Sequence, residues 1–214
     1  MMDDFAGERQ RMVAAQLRGR GLRDERVLAA FEQVPRHLFV PERVRYEAYA
    51  DMPLPIGHDQ TISQPYIVAL MISLLDLHGD ECVLEVGTGS GYEAALLSRL
   101  TAEVHTVELV RDLGEKAGLL LQELHCVNVH VHIGDGTLGW PESAPYGGII
   151  ASAAAPQVPP PLREQLAQEG RLVLPVAQEY EQYLKVISRS GNEYAERIIT
   201  AVEFVPMRGK HGCD

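Results

Sequence analysis

The run Glu85-Val86-Gly87-Thr88-Gly89-Ser90-Gly91, an acidic residue followed by alternating glycines, is the part of the chain best suited to chemistry. The apolar, β-prone run before it and the alanine- and leucine-rich segment after it place it in a turn between a strand and a helix. Gly87 and Gly89 let the backbone bend where a Cβ would clash, and Gly91 lets a ligand or the neighbouring strand approach the start of the helix. The spacing separates cofactors. A dinucleotide fingerprint, G-x-G-x-x-G, needs its third glycine where this chain has Tyr92. Glu85, at the carboxyl end of the strand, would repel a pyrophosphate but suits a cation. S-adenosylmethionine carries a sulfonium and an ammonium and no phosphate, so it fits where NAD does not. A purely structural strand-to-helix turn is the alternative reading.

Two further acidic positions extend the pattern. Glu108 ends the next β-prone run, and an acidic residue about 20 positions beyond the glycine turn is placed to accept hydrogen bonds from ribose hydroxyls. Gly134-Asp135-Gly136 ends the run after that; Asp135 could accept from an adenine amino group, with the glycines admitting the base, although a D-G pair is also a common turn. His130 and His132 alternate on the same predicted strand, near His125 and Cys126, so their side chains share a face. No carboxylate or cysteine stands at a spacing that completes a metal site with them, and none is expected.

These residues need elements to hold them. Residues 8–17 and 24–34 read as amphipathic helices, the second with Val27, Leu28, Phe31 and Val34 at helical spacing, Asp24 as cap and Pro35 as stop. The connector 35–55 should run over the surface with little regular structure, and 55–65 reads as a polar loop. It leads into a helix over 66–77, before which Ser63 stands as an N-cap candidate and Pro65 occupies the first turn. Strands are expected near 82–87, 103–108, 127–133, 148–151 and 172–176, alternating with helices over 92–100, 111–124 and roughly 161–168. That rhythm specifies a parallel sheet covered on both faces. Two later β-prone runs, 183–189 and 198–205, flank Gly191-Asn192 and should close the sheet as an antiparallel pair.

Composition narrows the class. The 214 residues, 46% hydrophobic and 23% charged, are ordinary for a soluble globular protein. A net charge of -11 argues against a broad nucleic-acid footprint, and the arginines near the N-terminus alternate with acids as on a solvated helix face. Cys82, Cys126 and Cys213 are odd in number and widely spaced, as expected of reduced thiols. With neither a signal-peptide pattern nor an apolar run long enough to span a bilayer, the cytoplasm and no membrane partner are expected.

Several segments together resemble the protein-L-isoaspartate O-methyltransferase family: Pro53-Leu54-Pro55-Ile56-Gly57, Gln60-Thr61-Ile62-Ser63-Gln64-Pro65, Val83 through Tyr92, Gly134-Asp135-Gly136, Gly170 through Val176 and Phe204-Val205-Pro206. The matches run in the family's order over nearly the whole chain, and T-I-S-Q-P is the most specific. The resemblance implies a Rossmann-like, doubly wound class I methyltransferase sheet with an antiparallel C-terminal strand pair and an N-terminal helical extension. It divides the chain into 1–78, N-terminal helices and substrate loop, and 79–214, a cofactor-binding α/β part, in one compact unit.

By the same resemblance the activity is repair: methylation, from S-adenosyl-L-methionine, of the free α-carboxylate of L-isoaspartyl residues in damaged proteins and peptides, leaving S-adenosyl-L-homocysteine. Ser63 matches the active-site serine, donating a hydrogen bond to the substrate carboxylate, with Thr61, Ile62, Gln64 and His58 around the substrate. Glu85, Gly87, Thr88, Gly89, Gly91, Glu108, Asp135 and Gly136 would hold the cofactor, and a monomer is expected. Asp59, Gly147 and Glu203 depart from the family pattern. Two other readings remain: a transferase of the same fold acting on another peptide carboxylate, and a noncatalytic module that binds damaged chains.

Overall fold

The computed structural model describes residues 5–213. Its centre is a seven-stranded sheet in the order β5-β4-β3-β6-β7-β8-β9. The strands are β3 (Cys82–Val86), β4 (Glu103–Glu108), β5 (Val129–Ile133), β6 (Tyr146–Ala151), β7 (Leu166–Gln178), β8 (Glu181–Ser190) and β9 (Glu193–Val202). Pairing is parallel from β5 to β7 and antiparallel from β7 to β9. β3 sits between β4 and β6, so the order reverses beside the glycine turn, which is where open α/β sheets bind ligands.

Alternate residues of the strands feed two cores. Val83, Val104, Ile150 and Val173 face a cluster filled by α1 (Ala6–Met12), α2 (Glu25–Gln33), α3 (Pro65–Leu75), α4 (Tyr92–Leu97) and α5 (Arg111–Glu123). Leu84, Val107, Ile149 and Leu172 face a smaller cluster closed by Leu162 of the short α6 (Pro160–Glu164), Trp140 and Met207. Both faces are covered, as expected of a parallel sheet, but most of the helices lie on one. The first cluster joins the N-terminal helices to the sheet without a break.

Helix α2 begins as expected, with the Asp24 side chain accepting from the N–H groups of Arg26 at 3.0 Å and Val27 at 3.2 Å. The N-terminal helix ends sooner than its apolar spacing implies: α1 gives way to a π-helical stretch, Val13–Leu17, and a 3-10 turn, Arg18–Arg20. The C-terminal pair turns tightly at Gly191, φ 60°, between β8 and β9. No helix among the described residues is long and apolar enough to cross a membrane.

Two expectations between residues 35 and 65 are corrected. The connector is not a surface coil: it forms 3-10 helices at Arg36–Phe39 and Glu42–Glu47, and Arg36, His37, Phe39 and Tyr49 are buried. Phe39 and Tyr49 are core residues, and of its aromatic residues only Tyr46 stays exposed. The polar loop is a hairpin, β1 (Leu54–Gly57) and β2 (Gln60–Ile62), with Gly57 paired to Gln60. Its two turn residues, His58 (φ 53°) and Asp59 (φ 57°), both adopt left-handed conformations, the requirement of a type I′ turn. Asp59, which departs from the family pattern, thus stands where glycine is the easiest residue and aspartate among the tolerated ones.

Candidate active site

The carboxyl ends of β3, β4 and β6 open into one cleft, floored by 85–90 and 107–110, roofed by 60–63 of the hairpin and flanked by 205–208 of the C-terminal segment. It brings Thr61, Ile62 and Ser63 together with Glu85, Gly87, Thr88, Gly89, Glu108 and Gly136. Residues from distant parts of the chain meet there because the hairpin folds back over the glycine turn.

Ser63 is not the cap of α3. That position belongs to Gln64, whose side chain makes no capping bond, and the Tyr66 N–H donates instead to Asp51 Oδ1 at 3.0 Å. A residue distant in the chain caps the helix, leaving the half-buried Ser63 hydroxyl available to the cleft. Arg36 fixes the serine's backbone: its Nη2 donates to the Ser63 carbonyl and its Nε to the Ala48 carbonyl, both at 2.8 Å.

On the floor, Glu108 organises the turn. Its Oε2 accepts from the Gly89 N–H and its Oε1 from the Val110 N–H, each at 2.8 Å. Each oxygen retains a lone pair for a ligand hydroxyl. Thr88 Oγ1 lies 2.6 Å from Thr106 Oγ1, tying the turn to β4. Gly87, φ 93°, has nothing within 4 Å of where a Cβ would project, so its glycine identity serves both the turn and the open space of the cleft.

Glu85 is 0% exposed, and neither carboxylate oxygen has a hydrogen-bond partner among the described residues. Burial, reinforced by the charges of Glu93 and Glu108, raises its carboxyl well above the usual range, against the weaker pull of the nearby Thr106 hydroxyl and Ala94 N–H. Glu93, in the first turn of α4, is a second buried carboxylate in the same cleft; burial pushes it up to about 7, opposed by a hydrogen bond from the Ser152 hydroxyl. Two buried acids with few partners favour a cationic ligand beside them. S-adenosylmethionine, with its sulfonium and ammonium, supplies that charge.

The remaining expected residues lie elsewhere. Gly91, φ 85°, is not at the cleft: a Cβ there would come 3.2 Å from Ala117 Cβ and 3.3 Å from Leu121 Cδ1, so it permits close packing of helix α5, not of a ligand or strand. Asp135 does not line the cleft. Its Oδ1 accepts from the Thr137 N–H and hydroxyl and its Oδ2 from the Lys210 N–H, which together outweigh the effect of burial and hold its carboxyl below the usual range. Gly136 alone brings that loop to the cleft. Gln64 turns into the helix start, and His58, away from the cleft, pairs with Asp112 of α5 at 2.7 Å. Of the other departures, Glu203 is exposed and off the cleft, while a Cβ on Gly147 would meet Glu81 Cγ at 2.7 Å.

Glu93, Ser152, Arg36 and Arg208 are the residues that sequence spacing leaves out. Glu93 follows the glycine turn by two positions and reads as a solvent-facing helix residue; Arg36 reads as one more arginine in a basic stretch. Arg208 places an exposed guanidinium on the cleft rim.

Residues 8–212 match the family model described as protein-L-isoaspartate(D-aspartate) O-methyltransferase. A protein-L-isoaspartate O-methyltransferase from Methanoregula boonei is 54% identical over 205 residues, covering 96% of this chain and 94% of its own. One from Geobacter metallireducens is 49% identical over 210 residues, covering 98% and 97%. Among solved structures, a protein-L-isoaspartate O-methyltransferase superposes with a TM-score of 0.87 at 28% identity, over 95% of this chain and 67% of that one. A Plasmodium falciparum protein, solved with S-adenosyl-L-homocysteine, shares the fold with a TM-score of 0.81 at 24% identity, over 94% and 98%. With its sheet reversing at the glycine turn and its hairpin closed over that turn, the chain belongs to the protein-L-isoaspartate(D-aspartate) O-methyltransferase family.

Proposed function

We propose that this protein is a repair enzyme that transfers the methyl group of S-adenosyl-L-methionine to the free α-carboxylate of L-isoaspartyl residues in damaged proteins and peptides. The observation that carries the reading is the placement of the Ser63 hydroxyl, relieved of helix capping, over a cleft whose floor holds the unpartnered Glu85. The bound donor supplies an electrophilic methyl group on a sulfonium.

The chain's own work is positioning. A substrate carboxylate is already ionised at neutral pH, so no general base is required. Ser63 donates a hydrogen bond that aims one carboxylate oxygen, and Thr61 and Ile62 close the same loop over it. Glu85 and Glu93 balance the positive charges of the donor, Glu108 accepts from its ribose hydroxyls, and the backbone at Gly87, Gly89 and Gly136 leaves room for it. Arg208 faces the approaching substrate carboxylate from the rim. Holding oxygen, carbon and sulfur in line, with the hairpin excluding water, lowers the barrier without covalent participation by the protein.

The deciding experiment offers labelled S-adenosylmethionine with paired peptides differing only in aspartate or isoaspartate. Label on the isoaspartyl peptide alone is expected; equal labelling of both, or of neither, would sink the assignment. The protein works as a monomer in the cytoplasm, where the three free cysteines stay reduced; sedimentation and cell fractionation check the two statements.

A further inference from the structure

A second cluster of chemistry-bearing side chains lies at the opposite edge of the sheet. β3 and β4 begin in register with Cys82 beside Glu103, and further along β4 His105 stands beside His130 of β5. Because side chains two apart on a strand share a face, as do those directly paired, all four project from the same face near the amino ends of the strands. The methyl-transfer cleft lies at the carboxyl ends, and none of these four lines it.

One donor atom from each of Cys82, Glu103 and His105 lies within 4.8 Å of the other two. His130 Nε2 stands outside that set but lies 3.0 Å from Glu103 Oε1, while His105 Nε2 is 3.3 Å from that same oxygen. Donors around a tetrahedral zinc, at about 2.0–2.3 Å from the ion, stand roughly 3–4 Å apart. Side-chain rotation at Cys82 and at the exposed Glu103 would bring the three donors to that spacing around His105, leaving the fourth position to solvent.

His105 gives the independent sign. It is 6% exposed, and its Nε2 makes no well-aligned hydrogen bond, its polar neighbour being Glu103 Oε1 at 3.3 Å. Its other nitrogen, Nδ1, lies 2.9 Å from His132 Nε2, and the His132 ring is stacked on Trp140 with centroids 3.9 Å apart. With the proton on Nδ1 and shared with His132, the lone pair of Nε2 points into the cluster. A second residue that fixes tautomer and ring orientation in this way is the usual support of a metal-bound histidine. The Cys126 thiol, which neighbours His125 in sequence, lies instead against the Leu124 carbonyl.

We propose that Cys82, Glu103 and His105 form a zinc site that clamps the amino ends of β3 and β4, with His130 of β5 orienting the Glu103 carboxylate, separate from the methyl-transfer cleft. The donors select the metal: a thiolate with an imidazole and a carboxylate suits Zn²⁺, whereas Mg²⁺ and Ca²⁺ take oxygen ligands. Binding displaces the Cys82 thiol proton to solvent.

The test uses the full chain, stripped with a chelator and titrated with Zn²⁺ against a chromophoric competitor, and separately with Co²⁺ followed by absorbance. One equivalent is expected, with a thiolate-to-cobalt charge-transfer band. Cys82→Ala should abolish the band, and Cys82→Ala and His130→Ala should each weaken zinc at least about tenfold. Cys213→Ala should change neither. Both variants alter side chains that are not deeply buried, and circular dichroism confirms that they fold. Substoichiometric zinc, or zinc held equally well by folded Cys82→Ala and His130→Ala, would overturn the site.

Discussion

Arg36 donates from Nη2 to the Ser63 carbonyl at 2.8 Å while its guanidinium lies 4.9 Å from the centre of the Tyr92 ring. One buried cation therefore touches both the substrate hairpin and the helix that follows the glycine turn, spacing the two halves of the cleft. The N-terminal extension is thus part of the active-site frame.

Removing that frame should be costly. Arg36→Met leaves the Ala48 and Ser63 carbonyls without their donor in a buried setting, and a loss of about 2–4 kcal/mol is expected in urea denaturation. Arg36→Lys should recover little, because an ammonium lacks the planar fork that reaches both carbonyls. Full stability in Arg36→Met would mean the guanidinium contributes nothing net.

Ser63→Ala separates catalysis from folding. Since Asp51, not Ser63, caps α3, the melting temperature should hardly change. Loss of a hydrogen bond to a charged carboxylate, worth about 1.5–3 kcal/mol, should lower kcat/KM for an isoaspartyl peptide by roughly ten- to hundredfold. A serine variant that melts early but still methylates would reverse the two roles.

The glycines of the turn should divide likewise. Gly91→Ala forces a Cβ at φ 85° against Ala117 and Leu121, and should cost roughly 1–3 kcal/mol while the folded fraction still binds S-adenosylhomocysteine normally. Gly87→Ala projects its methyl into open cleft. Isothermal titration should show it weakening the ligand by more than its effect on stability accounts for. Equal effects on binding from both variants would return Gly91 to the cofactor site.

How far the sequence could reveal these arrangements depended on the range of the interactions. The parallel sheet was legible because strands buried on both faces read as short apolar runs between helical patterns. Glu85, Glu108 and the glycine turn were legible because their spacing is local to one strand-helix-strand unit, β3-α4-β4. The hairpin was hidden because its turn is His58-Asp59, not the Asn-Gly type that signals such turns. Ser63 looked like a cap because the true one, Asp51, is joined to α3 only by the fold. The Cys82–Glu103–His105–His130 cluster was hidden for the same reason: strand order and register, not spacing along the chain, bring its members together.

The paired carboxylates make cofactor binding a proton-linked event. Glu93 is pushed up to about 7 by burial, against about 4.3 for an unfolded glutamate, and Glu85 is raised well above the usual range. The ligand-free fold therefore holds protons that the unfolded chain has released. The Glu93 contribution to stability is fully present below the unfolded value and is lost as pH rises through about 7. A sulfonium and an ammonium in the cleft favour the ionised acids instead, so S-adenosylmethionine should bind more tightly as pH rises from about 5.5 to about 8, releasing protons as it does. Titration calorimetry in buffers of different ionisation enthalpy measures that release directly. Glu93→Gln should flatten the pH dependence and raise the melting temperature of the ligand-free protein at alkaline pH, because it removes the charge whose burial is unfavourable there. If wild type and Glu93→Gln share one pH slope for S-adenosylmethionine, then Glu93 does not carry the linkage, and the cation is balanced by Glu85 alone.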